Sequence, residues 1–298
     1  MMMPKKTTTT TSRSKLYIVL TLCFFISGAS ALFFQVLWIR LFSLIFGTTQ
    51  FAMGTVIAGF LGGLGIGSWL ISRSTSKIER PLLVYGILEL FIGLYGLAFP
   101  WICQFLITLQ QVFFSVIEPN FFTLNLFRLF FALIFLLPPT TAMGATLPIL
   151  SQLCQQYFDR PIQRISFLYA INTLGASLGA FLSGLFLIPT LGLVQSNWVA
   201  VGSNFLILLI TFFLARLAPE APIALPSSEL TPISQKTEFP LYLKSTIFIS
   251  SIMTLILELV WSRVLEMILG ATVYVVSSIL TAFILGLGLG SFFCSFFL

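Results

Sequence analysis

In this chain of 298 residues, 58% are hydrophobic and only 8% are charged, which is more apolar surface than one soluble interior of that size can hide. Histidine is absent, which removes imidazole ligation and His-based acid–base catalysis from the available chemistry. The net charge of +6 is distributed among loops, so it reports membrane orientation and points to no nucleic-acid partner.

Residues 1–15 include the tract Thr7–Ser12 and read as a disordered tail. Eight apolar runs follow, at about 16–37, 51–72, 82–108, 121–141, 164–190, 197–215, 241–262 and 271–293. Runs of roughly 20 residues are what a hydrocarbon core ~30 Å thick requires. The first run begins like a signal peptide and reaches "ASA" at Ala29–Ala31. It continues well past that point, so no cleavage is expected. The third carries Glu89 within "YGILELFIGLYG". Pro138, Pro139 and Pro148 fall in and after the fourth, where they are expected to bend or break the helix and free backbone carbonyls. The fifth carries Asn172, Gly175 and Gly179, residues suited to hydrogen bonding and close approach between helices.

Residues 217–240 hold five prolines with Glu220, Glu229 and Glu238, the composition of a solvated linker. The chain thus divides into a tail (1–15), a six-helix membrane half (16–216), a linker (217–240) and the start of a second half (241–298). Lys5, Lys6, Arg13 and Lys15 precede the first run; Arg73, Lys77 and Arg80 follow the second; Arg160 and Arg164 follow the fourth; and Arg216, Lys236 and Lys244 surround the linker. The alternate loops at 109–120 and 191–196 contain no Lys or Arg. That asymmetry predicts a multi-pass protein with its N-terminus and linker in the cytoplasm, most simply in a bacterial inner membrane.

"WIRLFSLIFG" at Trp38–Gly47 is written again as "WSRVLEMILG" at Trp261–Gly270. At an offset of 223 residues (Trp38 to Trp261), residues 18–75 align with 241–298. Trp38/Trp261, Arg40/Arg263, Gly47/Gly270, Thr49/Thr272 and Phe60/Phe283 are identical pairs, as are the glycines at 63, 65 and 67 with those at 286, 288 and 290. This is an internal duplication. Six helices, a linker and a restart in the same orientation form a parallel repeat, the plan of major facilitator transporters.

The glycine runs lie inside apolar spans, without the strand that a nucleotide cradle needs, so cofactor binding is not expected. Gly59, Gly63 and Gly67 share one helix face, as do Ala282, Gly286 and Gly290, a spacing that favours close helix packing in lipid. Cys23, Cys103, Cys154 and Cys294 form no CxxC pair, so neither a zinc site nor a disulfide framework is indicated. Glu89 and Glu258 are the carboxylates at membrane depth, with Gln35 standing where Glu258 stands in the other copy. A carboxylate there costs several kcal/mol unless it is paired, hydrated or protonated. With Asn172, these three form a candidate intramembrane polar site. Trp38, Arg40, Trp261 and Arg263 fit interfacial anchors, and Arg263 can pair with Glu266 three residues on.

"LLVYGILELFIGLYG", "MGATLPIL", "YAINTLGASLGAFLSGLFLIPTLG" and the twice-written W-x-R…G-x-T…F…G-x-G-x-G-S unit resemble the membrane domain of fused spermidine synthase-like proteins. In that family a facilitator-like helical region precedes a cytosolic polyamine aminopropyltransferase-like domain. The resemblance implies an all-α polytopic fold: a six-helix facilitator-like half plus the first two helices of a repeated second half. It implies a non-catalytic module that anchors or feeds such a transferase domain, which is missing here along with its cofactor loop. The sequence is then expected to be a piece of a longer protein or a shortened relative. The expected partners are the lipid bilayer, such a domain, or other membrane subunits. No metal or cofactor is expected in this chain. Loop 72–81 keeps Arg73, Lys77 and Arg80 but lacks the Asp of the facilitator signature. A facilitator-type transporter of a small cationic solute, or a structural subunit of a larger membrane complex, are the alternatives.

Overall fold

The computed structural model describes residues 6–47, 49–75, 78–116, 120–158, 160–217, 240–270 and 272–297. The expected linker, from 218 to 239, lies outside the described residues. The described chain is helical and contains no strand: α1 (Lys6–Phe46), α2 (Thr49–Ser72), α3 (Pro81–Val116), α4 (Phe121–Tyr157), α5 (Pro161–Leu182), α6 (Ile188–Leu217), α7 (Leu241–Leu269) and α8 (Val273–Phe297). The tract expected as a disordered tail is helical from Lys6, continuing α1 without a break. Adding a residue to an existing helix costs far less than nucleating one, so a polar tract can extend a stable apolar helix.

Seven continuous helical runs, and not the expected eight, are long and apolar enough to cross a membrane among the described residues. The difference lies at the fifth. Residues 161–216 form one 56-residue run, in which α5 passes through a π turn at Ser183–Leu187 into α6. A straight helix of that length would span roughly 84 Å at 1.5 Å per residue, far beyond a bilayer. Gly192 resolves the conflict: its backbone (φ 77°, ψ 175°) is non-helical and interrupts the run. Two apolar arms therefore occupy the place of the fifth and sixth expected spans. The architecture is that of an α-helical, multi-pass membrane protein.

Helix α1 is central and packs on α5, α2 and α6; α2 packs on α4, α3 on α6 and α4, α8 on α5, and α7 on α8. The duplicated sentence has a shared structural product. In each copy the long helix ends on a glycine with positive φ, Gly47 (76°) and Gly270 (89°). Their amides close the last turn by donating to Ser43 O at 3.0 Å and Glu266 O at 2.9 Å. An L-residue is strained in that conformation, which accounts for glycine at the same place in both copies.

The fourth helix is not broken by its prolines; α4 runs through Pro138, Pro139 and Pro148. Each proline lacks an N–H and so frees the carbonyl four residues earlier. In an apolar setting that carbonyl needs another donor, and for Pro139 and Pro148 side chains of neighbouring helices supply one. Tyr95 OH donates to Phe135 O at 2.8 Å, four residues before Pro139. Ser68 Oγ donates to Gly144 O at 2.8 Å, four before Pro148. In α3, Pro100 leaves Gly96 O to Asn197 Nδ2 at 2.9 Å. We expect Tyr95→Phe and Asn197→Ala each to cost about 1–3 kcal/mol by stranding a buried carbonyl. Thr190→Ala, on an exposed hydroxyl, should leave stability unchanged. Unfolding titrations in mixed micelles measure all three.

The glycine faces differ between the copies. Gly59, Gly63 and Gly67 lie against Leu136, Thr140 and Thr141 of α4, so closely that a methyl on Gly63 or Gly67 would overlap α4. Gly175 and Gly179 meet the backbone carbonyls of Phe25 and Ala29 on α1 just as closely. Gly286 and Gly290 have no atom within 4 Å of the position a Cβ would take. The expected close contact is thus absent at these two glycines. Helix α8 turns its opposite face to α5 instead, setting Gly288 against Leu174, with Ser277 Oγ donating to Ala180 O.

Trp38 is no interfacial anchor. It is fully buried and stacks between Phe34 (5.5 Å) and Phe99 (5.0 Å). Trp261, its counterpart, is 59% exposed. Aromatic stacking in the core of the first half outweighs the interfacial preference of the indole.

Candidate functional site: a buried carboxyl between the first and third helices

Glu89 lies eight residues into α3, about 12 Å along the axis from Pro81. No part of it is accessible to solvent. Ser27 of α1 holds one carboxyl oxygen, its Oγ donating to Glu89 Oε1 at 2.6 Å. The second oxygen, Oε2, has no hydrogen-bond partner. Tyr85 precedes Glu89 by one turn, is also fully buried, and brings its hydroxyl to the border of the carboxyl. That hydroxyl, too, makes no hydrogen bond of ordinary geometry. Cys23, one turn before Ser27, is buried on the same face of α1. The sequence places these groups by helical spacing: positions 23 and 27 share one face of α1, and 85 and 89 share one face of α3.

Two asparagines of this interior hold helices together. Asn172 Nδ2 donates to Phe24 O at 2.8 Å, binding α5 to α1 near the level of Ser27. Asn204 Nδ2 donates to Ser30 Oγ at 2.6 Å and to Ala200 O at 2.8 Å, joining α6 to α1. Gln35 is buried on α1, eight residues or roughly 12 Å beyond Ser27 along the helix.

Glu258 stands elsewhere, on α7. The buried residues of that helix are Glu258, Ser262 and Glu266, spaced four apart on one face. Ser262 Oγ donates to the backbone carbonyl of Glu258 at 2.7 Å. The counterparts of these three in the first copy, Gln35, Ile39 and Ser43, are buried on α1. An otherwise lipid-exposed helix therefore hides its polar stripe and shows its apolar one. Arg263 is exposed and Glu266, three residues on along α7, is buried. Arg40 is half-buried at the end of α1.

The four residues expected to form one polar site are thus divided: Glu89 between α1 and α3, Asn172 at the α1–α5 seam, Gln35 higher on α1, and Glu258 on α7. Among the described residues no three acidic or thiol side chains gather as metal ligands. Sequence reasoning did not find Ser27, Tyr85 or Arg128. Ser27 carried a usable signal, since it is identical to Ser250 at the repeat offset. Arg128 lies in a membrane-spanning run of α4, with its guanidinium 5.6 Å from the centre of the Phe46 ring.

A carboxyl with one oxygen held by Ser27 and the other beside the Tyr85 hydroxyl is an acceptor for a donor-only group, a proton or an ammonium. No family model, no curated protein and no solved structure matches this chain.

Proposed function

We propose that this chain is a non-catalytic membrane module that binds a small cationic amine in its helical interior and anchors or feeds a cytosolic aminopropyltransferase-like domain. The observation that carries the amine is Glu89, fully buried, with Oε1 fixed by Ser27 and Oε2 without a partner. A carboxyl in so apolar a setting is kept where it has a task, because removing it would relieve a desolvation cost. An ammonium supplies the missing donor and the opposite charge together, and low polarity strengthens that attraction. The tie to polyamine chemistry, the cytoplasmic orientation and the bacterial inner membrane rest on the sequence motifs and on the Lys/Arg asymmetry.

Equilibrium binding of labelled spermidine to the chain in lipid nanodiscs tests this reading. Glu89→Gln keeps the shape and removes the charge, and should weaken binding at least about ten-fold, the equivalent of one lost charge-assisted bond. Unchanged affinity in both Glu89→Gln and Glu258→Gln would remove the amine from the account.

One observation favours a second reading, a facilitator-type transporter of a small cation. Both copies of the repeat bury a polar position at the same register, Gln35 and Glu258, as expected if each half contributes to one path. Amine uptake into sealed proteoliposomes, abolished by Glu258→Gln, would select this reading over a static module.

A further inference from the structure

Glu89 is the one charged residue of α3, and the helices around it bring no counter-ion. Those packed on α3 are α6, α4 and α1. Helix α4 has a single charged residue, Arg128. It follows Phe127, which stacks on Phe113 of α3 at 4.2 Å. Phe113 lies more than six turns beyond Glu89, roughly 36 Å along the helix. Helix α6 also has a single charged residue, Arg216. Gly86 meets Thr211 and Gly93 meets Asn204, so Glu89 lies level with Leu208, roughly 12 Å along α6 from Arg216. On α1, Lys15 and Arg40 lie more than three turns to either side of Ser27, roughly 18 Å or more away. The titratable groups within electrostatic reach are the Tyr85 hydroxyl on α3 and the Cys23 thiol on α1, and neither can become a cation.

We propose that Glu89 is a proton site as well as an amine site: the amine-free chain holds it as the neutral acid, and an ammonium group enters in exchange for that proton. The exchange rests on the reading of Glu89 as the anchor of the amine. A solvent-inaccessible carboxylate with no cation is the costly state in so apolar an interior, and the neutral acid avoids it. Ser27 Oγ donates to Oε1. The proton on Oε2 has the Tyr85 hydroxyl beside it, whose oxygen makes no hydrogen bond of ordinary geometry and can accept. When the amine binds, the O–H bond of Glu89 breaks and its proton leaves to solvent, while the ammonium keeps all of its own protons. A neutral acid thereby becomes an ion pair, so both end states are uncharged at this position. Binding tightens as pH rises, because a proton is one of its products.

Two measurements on the full chain in nanodiscs test the exchange. Infrared spectra of the amine-free chain at about pH 7 should contain the C=O stretch of a protonated carboxyl that Glu89→Gln removes. That variant imitates the neutral acid in shape and charge, so it should fold as the parent does. The second measurement is calorimetric titration with spermidine, whose amines stay protonated at that pH. Heats in phosphate and in Tris should differ in proportion to about one proton released per amine bound. Apparent affinity should rise about ten-fold per pH unit while the amine-free site is protonated. Residual binding by Glu89→Gln should lose the buffer dependence. An acid band missing from the amine-free chain would overturn the proposal, as would spermidine binding whose heat and affinity ignore buffer and pH. In both cases the amine reading would stand on the binding itself. No binding of spermidine at all would overturn the amine reading and the exchange together, which tells the two failures apart.

Discussion

Gly175→Leu and Gly179→Leu are each expected to destabilise the protein by about 3 kcal/mol or more, the upper range for overpacking a close contact. The cause is geometric. Each glycine lies directly under a backbone carbonyl of α1, that of Phe25 or Ala29. Backbone cannot step aside as a flexible side chain can. A leucine would separate α1 from α5 and pull Asn172 Nδ2 off Phe24 O, the bond that ties the two helices at 2.8 Å. Since α1 is the central helix, the loss would spread to α2 and α6. Gly62→Leu and Gly202→Leu supply the contrast. They are also glycines of membrane-spanning helices, but with no atom within 4 Å, and should stay within about 0.5 kcal/mol of the parent. Denaturant titration in mixed micelles, followed by helicity, separates the two pairs. Equal tolerance at all four positions would mean that α1 and α5 do not meet as described.

Trp38→Ala should cost about 3–5 kcal/mol, the range for emptying a large aromatic site in a packed interior. Trp261→Ala should cost less than about 1 kcal/mol. The two tryptophans occupy the same place in the repeat, yet Trp38 is fully buried between Phe34 and Phe99 while Trp261 is 59% exposed. Intrinsic fluorescence gives a second handle. In variants that keep a single tryptophan, with the other four of the five replaced by phenylalanine, quenching by brominated lipid should be strong for Trp261 and weak for Trp38. Comparable destabilisation by the two substitutions would show that Trp261 is buried as Trp38 is.

That contrast also explains what the sequence could not tell. Length and apolarity locate membrane spans because the bilayer's thickness is fixed, and the spans at 16–37, 51–72 and 82–108 all fall within α1, α2 and α3. The repeat was legible because its identities keep one offset. Burial was not legible, because lipid and protein interior are equally apolar and leave little hydrophobic periodicity to read. Hence Trp38 and Trp261, in nearly the same local sequence, could not be told apart, and Gly63 could not be distinguished from Gly286. The break at Gly192 was legible, since it falls in the loop expected at 191–196 between the fifth and sixth spans; what could not be read was that helix continues almost unbroken on either side of it. Glu89 could be picked out as a carboxylate at membrane depth, but its partner Ser27 lies 62 residues away. That pairing exists only after α1 and α3 have packed.

Polar chemistry in this interior falls into two kinds. Asn172, Asn197, Asn204, Tyr95 and Ser68 have their donors engaged with backbone or side-chain acceptors of other helices, which is structural work. Asn197 Oδ1, like Glu89 Oε2, makes no hydrogen bond, but Glu89 differs in being a carboxyl, whose second oxygen can carry charge and take a cationic donor. Its substitution should therefore move ligand binding more than stability, the reverse of the pattern expected for Asn204.

Isotope-edited infrared difference spectroscopy of Glu89 in nanodiscs, with and without spermidine, tests that claim most directly. Binding at Oε2 predicts a shift in the Glu89 carboxyl bands on adding the amine, absent in Glu89→Gln and altered in Ser27→Ala, which releases Oε1. A Glu89 spectrum that does not change while the amine is shown to bind would place the amine elsewhere and contradict the account.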